Sequence, residues 1–334
     1  MPPSNTPIRI ATRGSALALA QANMVLAQCR AAFPKLAFEL SIIKTTGDKL
    51  QTASLAQEGQ NLPKGLFTKE LEVALLKRKA DLAVHSLKDL PTELPDGLKL
   101  GAVCKRADVR DVLIYRRAPE RGDAKSDPQG VRRGFQAGLQ VAQLPAGAVV
   151  ATSSTRRRAQ LLVANPGLQT PDIRGNVLTR MKKLAQNAQL DATILALAGL
   201  LRLNFRVRPD GLLEGEGIPE GLFATVLGTD VMLPCVGQGA IGIETRVQDE
   251  QAAMICERLD HFETCQSVTA ERVFLAGMGG GCQSPIAAHA EVAGETVRME
   301  AISFASGPVR RARGNRPIRE AAELGRQLAA ELKA

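Results

Sequence analysis

Short apolar segments alternate with amphipathic segments along most of the chain. Residues 8–12, 38–44 and 82–85 are apolar runs of strand length, whereas residues 16–33 and 68–79 carry apolar side chains at helical spacing. Strands that alternate with helices in this way are typical of βαβ units, which assemble into a largely parallel sheet covered by helices. We therefore predict an α/β fold.

The alternation starts again further along, so one sheet does not account for the whole chain. A charged string at 105–111 and a loop at 116–138 precede a strand at 148–151, helices at 155–164 and 177–188, and a strand at 192–197. The Gly-rich stretch 204–230 is predicted to be a long loop with a short helix, and a strand follows at 241–243. A third unit after residue 259 has a helix near 267–275, strands near 287–292 and 297–304, and a closing helix at about 318–332.

The composition favours an anionic partner and argues against several classes of protein. The net charge is +9, and Arg offers a planar fork that matches carboxylates. With 3% aromatic residues and no Trp, the chain lacks the stacking platforms of single-strand nucleic-acid binding, and it shows no duplex-binding motif. Six cysteines have no metal-ligand spacing. No signal peptide or membrane-length apolar run is visible, so the expectation is a cytosolic protein with reduced thiols.

Three predicted strands are each followed by Arg, a small polar residue and a helix start. The polar residues Ser15, Ser154 and Asn176 are plausible helix N-caps, which is an ordinary structural role. Arginines at a helix start are disfavoured by the positive end of the helix dipole, so Arg156 and Arg157 indicate an anion there. In an open α/β sheet such sites face one crevice at the carboxyl ends of the strands.

The segment 85–89 follows a strand in the same way. Asp89 beside Lys88 is either a surface ion pair or an acid–base group within this anion-binding edge, and His85 is either a buried histidine or part of the site. A Gly-rich turn carries Cys282, which is either a buried small side chain or a thiol able to bond a ligand. The residue pattern leaves these alternatives open.

Taken together, these strings resemble the porphobilinogen deaminase (hydroxymethylbilane synthase) family. The matching motifs occur in the family's order over nearly the whole chain: residues 10–15 (IATRGS), 64–71 (KGLFTKEL), 83–89 (AVHSLKD), 152–154 (TSS) with the arginines after them, 174–177 (RGNV), 233–234 (LP), 236–240 (VGQGA) and 280–283 (GGCQ). The resemblance implies three domains, the first two arranged like a type-2 periplasmic binding protein with a cleft between them and the third a small α+β domain. The domain spans expected from it are 1–105 with about 233–258, about 110–225, and about 260–334.

The resemblance also implies the chemistry. A dipyrromethane cofactor would be bonded through a thioether to Cys282, four porphobilinogen molecules would be joined head to tail with loss of ammonia, and water would then release hydroxymethylbilane. The resemblance implies that Asp89 is the catalytic carboxylate. The chemistry agrees, because a carboxylate close to the ring nitrogen stabilises the cationic pyrrole that loss of ammonia leaves. Lys64 would lie in a loop beside the cleft, and Phe67 would pack against a pyrrole ring. The residues implied to bind acetate and propionate groups or to line the cleft are Arg13, Ser15, His85, Ser86, Lys88, Thr152, Ser154, Arg156, Arg157, Arg174, Asn176, Arg180 and Gln238.

Two stretches depart from the family's pattern, and two rival functions stay open. The loop 57–63 before Lys64 is longer than usual and lacks a second lysine, and the Gly-rich stretch 204–230 is also long. A non-enzymatic anion-binding protein on the same fold would need neither Asp89 nor Cys282. A basic nucleic-acid-binding protein is the weaker rival. The expected enzyme is a monomer that uses no metal and contacts neither nucleic acid nor membrane.

Overall fold

The computed structural model describes residues 6–47, 67–118, 133–281, 284–305 and 307–333. Two residues implied in the chemistry, Lys64 and Cys282, lie outside these ranges, as does the loop 57–63. The strands are β1 (Ile8–Arg13), β2 (Phe38–Ile43), β3 (Leu82–Ser86), β4 (Leu98–Val103), β5 (Asp111–Arg116), β6 (Val150–Ala151), β7 (Ala192–Ala196), β8 (Arg206–Val207), β9 (Leu213–Glu214), β10 (Leu222–Val226), β11 (Ile241–Arg246), β12 (Ile286–Ala293), β13 (Thr296–Ser303) and β14 (Arg310–Pro317). The helices are α1 (Ala16–Ala32), α2 (Lys69–Leu76), α3 (Thr155–Ala164), α4 (Val177–Gln186), α5 (Leu197–Arg202), α6 (Glu250–Leu259), α7 (Phe262–Gly277) and α8 (Ala321–Lys333).

The first sheet has the strand order β2-β1-β3-β11-β4. Apolar side chains of β1 and β11 pack with α1 and α6 on one face, where Ile10, Cys29 and Ile255 are fully buried. A second cluster on α2 includes Leu71 and Leu75, which are also fully buried. Helices thus cover both faces of the sheet, which is why the sequences of its central strands are nearly continuous apolar runs.

The second sheet has the order β10-β5-β7-β6. The chain reaches it through residues 104–110, the first crossover, and leaves it through residues 227–240, the second crossover. The prediction of a largely parallel sheet agrees with the strand directions, with one exception in each sheet: β11 is antiparallel to β3 and β4, and β5 is antiparallel to β7 and β10. The reason is the path of the chain between the two sheets. β5 and β11 enter their sheets from the crossovers and so begin at the edge where β3 and β7 end.

The stretch 204–230 also differs from the prediction. It contains the β8–β9 hairpin and β10, which pairs with β5 from Leu222 to Val226, and no helix. Leu222 and Ala224 are buried on one side of β10, as expected for the period-2 pattern of a strand. The surrounding glycines made this short pattern hard to recognise in the sequence. β10 thus belongs to the second sheet, and the β8–β9 hairpin is a separate two-stranded sheet.

The third sheet is the antiparallel meander β12-β13-β14, covered on one face by α7 and α8. The sequence did not indicate β14, because this edge strand is rich in arginine and Ala312 is its one buried residue. With three main sheets, the first two joined by two crossovers, the predicted α/β architecture with a smaller third unit is confirmed. The domain spans stay a prediction.

Within the described ranges, no helix is both long and apolar enough to cross a membrane.

Candidate active site

A cavity of about 280 Å³ lies between the first two sheets, at the edge where β1, β3 and β7 end. Nine of the predicted site residues line this cavity: Arg13, Ser15, Phe67, Ser86, Lys88, Asp89, Arg157, Asn176 and Arg180. The crevice expected at the carboxyl ends of the strands is therefore present, and it contains one acidic side chain, that of Asp89, among its described lining residues.

The three predicted N-caps are confirmed. The side chain of Ser15 accepts a hydrogen bond from the Ala18 backbone N–H at the start of α1, and Ser154 and Asn176 do the same at the starts of α3 and α4. Gly175, just before α4, has φ +119°, and a Cβ atom there would lie 2.6 Å from Thr179 Cγ2. A glycine is therefore required for α4 to begin close to the cavity.

Cationic side chains surround Asp89. The Arg13 guanidinium carbon lies 4.2 Å from the centroid of the Phe67 ring, a cation–π contact that joins β1 to the start of α2. Arg180 donates from Nε to the Gly175 carbonyl (2.8 Å), which orients its fork. Burial and the nearby Arg157 lower the pKa of Arg180 to about 10, with Asp89 opposing that shift. Arg180 is still cationic at neutral pH, so it can bind a carboxylate.

Arg202 at the end of α5 also lines the cavity, and the sequence did not single it out. It donates to the Gly239 carbonyl (2.6 Å), its Nε is buried with no hydrogen-bond partner in the described part of the chain, and burial lowers its pKa to about 10. A buried donor with no partner is costly, so this guanidinium is suited to an anion in the cavity. Gln21 was missed as well; it forms hydrogen bonds with Ser86 at 2.8 and 3.0 Å. Gln21 lies within α1 and Arg202 is the last residue of α5, and the strand-end pattern gave no signal at either position.

Six predicted residues do not reach the cavity, and His85 is the clearest case. Successive side chains of a strand point to opposite faces, so Ser86 faces the cavity whereas His85 is buried on the other side. Its Nε2 lies 3.0 Å from Glu244 Oε2. His85 therefore has the structural role that the sequence left open.

Arg156 is buried away from the cavity because the anion that it binds is internal. Its guanidinium donates to Asp111 (2.8 Å) and to the Leu233 carbonyl (2.6 Å), and Arg157 donates to the other Asp111 oxygen (2.7 Å). Burial opposes ionisation of Asp111, but the charges of Arg156 and Arg157 outweigh it and hold the pKa of this carboxyl below its usual value. The disfavoured arginines at the start of α3 are thus explained partly by Asp111 and not only by a ligand.

Gln238, Thr152, Ser154 and Arg174 have other surroundings. Gln238 is fully buried and donates to Asp111 (2.9 Å) and to the Val109 carbonyl (2.7 Å), so it joins the two crossovers. The Thr152 hydroxyl accepts from the Ser154 N–H (3.2 Å), and Ser154 caps α3. Arg174 is exposed and lines a separate open depression on the second unit.

Replacing Asp111 with Asn is expected to lower the free energy of unfolding by about 3–5 kcal/mol, because it leaves buried arginines without their counter-charge. Asp108→Asn is the control, since its partner Arg110 is largely exposed and the pair is worth less than about 1 kcal/mol. Urea unfolding at pH 7 measures both. Since the pKa of Asp111 is lowered in the folded state, its contribution is present at neutral pH and is lost only as the pH falls below about 4. Equal losses in the two variants would contradict this account.

Within the described ranges, no group of three or more His, Cys, Asp or Glu side chains could hold a metal ion.

Comparison with known proteins gives a consistent result. The family model described as porphobilinogen deaminase, dipyromethane cofactor binding domain, matches residues 8–254, and the one for the porphobilinogen deaminase C-terminal domain matches residues 265–334. The porphobilinogen deaminase of Desulforamulus reducens is 40% identical over 98% of this chain and 94% of its own length. That of Geobacter metallireducens is 41% identical over 98% and 91%, and that of Deinococcus radiodurans 38% over 97% and 94%.

Among solved structures, the BenM effector binding domain with benzoate has a TM-score of 0.39 and 15% identity over 76% of this chain and 90% of that chain, a likeness too low to carry an argument. The two family models and the sequence relatives establish the family. The chain belongs to the porphobilinogen deaminase family.

Proposed function

We propose that this protein joins four porphobilinogen molecules head to tail onto a covalently bound dipyrromethane cofactor and then releases hydroxymethylbilane by hydrolysis. The observation that carries the proposal is the cavity in which Arg13, Arg157, Arg180, Arg202 and Lys88 surround the carboxylate of Asp89. Each pyrrole of the growing chain carries two carboxylates, so a ligand of this kind needs many cationic forks.

The residues present fit the cofactor. Arg180 and Arg202 are half-buried yet cationic at neutral pH, and Arg202 Nε is a buried donor with no hydrogen-bond partner among the described residues. These guanidinium groups, with Ser15, Ser86 and Asn176, would hold the acetate and propionate groups. When bound, the cofactor supplies the nucleophilic pyrrole carbon to which the first substrate is added. Attachment through Cys282 and a contact from Lys64 are also proposed; both residues lie outside the described ranges.

Asp89 is proposed to act on the substrate. The C–N bond of the aminomethyl group breaks, ammonia leaves, and positive charge spreads over the substrate pyrrole until the new C–C bond forms and the attacking carbon loses its proton. A carboxylate beside the ring nitrogen stabilises that charge, and it can also accept and return a proton. Because Lys88 and the arginines hold the substrate carboxylates, the same Asp89 can serve each addition.

His85, Arg156 and Gln238 are proposed to shape the site rather than to bind ligand, since each is buried against partners of the protein itself. We further propose that the protein is a cytoplasmic monomer that does not bind nucleic acid. The proposed domains are 1–105 with about 233–258, about 110–225, and about 260–334.

The test is to incubate the purified protein with porphobilinogen and to follow ammonia and product together. We expect one ammonia for each porphobilinogen consumed, with hydroxymethylbilane as the product. A non-enzymatic anion-binding protein on the same fold would bind porphobilinogen and release no ammonia, and that result would overturn the proposal.

A further inference from the structure

Arg272 on α7 forms hydrogen bonds with the backbone that follows Asp89. Its guanidinium donates to three successive carbonyls, those of Leu90 (3.1 Å), Pro91 (2.7 Å) and Thr92 (3.3 Å). Asp89 itself ends a 3₁₀ turn, Leu87–Asp89, which is closed by the Leu90 N–H donating to the Leu87 carbonyl at 3.1 Å. One side chain of the third unit therefore holds the segment directly after the catalytic turn.

The front of the same turn is held by other elements. The Leu87 N–H donates to the Ala240 carbonyl (3.0 Å), at the end of the second crossover. Ser86 forms a hydrogen bond with Gln21 of α1. With Arg272 behind it, the turn that carries Lys88 and Asp89 is fixed at both ends. The rear anchor, Arg272, comes from the third unit.

The residue before Arg272 fixes α7 in place. Glu271 is fully buried and accepts hydrogen bonds from Arg106 (2.7 and 3.0 Å), from the Gly237 N–H (2.7 Å) and from the Ala290 N–H (2.8 Å). These partners lie on both crossovers and on β12, so α7 cannot shift without breaking charge-assisted bonds. Arg272 is thus presented from a rigid support.

We propose that Arg272 is a positioning residue: by holding the carbonyls of residues 90–92, it sets the position of the Asp89 carboxylate relative to the ring of the substrate. The inference rests on the role proposed for Asp89. A displacement of a reacting group by about 1 Å can lower the rate about 10²-fold. Arg272 therefore couples the third unit to the chemistry without touching the substrate.

The first experiment compares Arg272→Gln with Arg310→Gln. Arg310 donates to the Leu332 carbonyl at 2.9 Å, which is also an arginine–carbonyl bond within the third unit but is remote from the cavity. We expect Arg272→Gln to lower kcat about tenfold or more with KM for porphobilinogen changed less than about twofold. Arg310→Gln is expected to keep the full kcat, and Tm is recorded for both. An unchanged kcat in Arg272→Gln, or an equal loss in both variants, would overturn the proposal.

The second experiment tests whether Arg272 acts through Asp89. In an Asp89→Glu background the carboxylate is already displaced, so adding Arg272→Gln should lower kcat by a clearly smaller factor than in the wild type. Equal factors in the two backgrounds would refute the coupling while leaving the role of Asp89 intact. A full kcat in Asp89→Glu alone would instead refute the role proposed for Asp89.

Discussion

Replacing Asp89 with Asn is expected to lower kcat by about 10²–10³-fold, because the amide cannot offset the positive charge that develops on the substrate pyrrole. The loss should be in kcat rather than in binding, since Lys88 and the cavity arginines that hold the substrate are unchanged. Steady-state kinetics with porphobilinogen measures both constants.

Asp96→Asn is the matched control for this prediction. Asp96 is an exposed carboxylate a few residues further along the same stretch, and it does not line the cavity. We expect it to keep the full kcat, and both variants to keep the wild-type Tm within a few degrees. If Asp89→Asn turned over porphobilinogen at a rate close to that of the wild type, Asp89 would not be the catalytic carboxylate.

Cys282→Ser is expected to abolish the covalent cofactor and, with it, nearly all activity. The intact mass of the purified protein should exceed the mass of the chain by two deaminated porphobilinogen units, and the variant should have the mass of the chain alone. A serine hydroxyl is a much weaker nucleophile than a thiol at neutral pH, so it should not form the corresponding bond.

Four of the other five cysteines bear on the specificity of the mass measurement. Cys29, Cys104 and Cys256 are buried, and burial raises their thiol pKa to about 11, 12 and 12, so they do not ionise at neutral pH. Cys265 is half-buried, and Cys265→Ser serves as the control that should keep the extra mass. Extra mass retained in Cys282→Ser, or lost in Cys265→Ser, would contradict attachment at Cys282.

Local features could be predicted from the sequence because they depend on neighbours along the chain. The helix predicted at 155–164 matches α3 at both ends, and Ser15, Ser154 and Asn176 are the caps that their positions indicated. The strand-end location of Arg13 and Asp89 followed from the same alternation, since parallel strands end at a common edge.

Features that depend on distant partners could not be predicted in this way. Glu244 is 159 residues from His85, and Asp111 is 45 residues from Arg156. The sequence around His85 or Arg156 therefore does not reveal which residue is its partner. Arg156 at a helix start looked like a ligand site because a cation there needs an anion, and the pattern does not say whether that anion is a ligand or a side chain. Arg202 was missed for the opposite reason, because it ends an apolar helix as an ordinary C-terminal cation would.

The placement of β11 has a consequence for how the chain folds. This strand lies between β3 and β4 in the first sheet, yet the ribosome makes it only after all the strands of the second sheet. The second sheet, whose strands all lie between residues 111 and 226, can therefore close first, while β4 has no neighbour until β11 pairs with it. Non-local pairing of this kind slows folding and leaves an unpaired strand edge open to aggregation. Truncation just before residue 241 should accordingly leave the second unit as the part best able to fold.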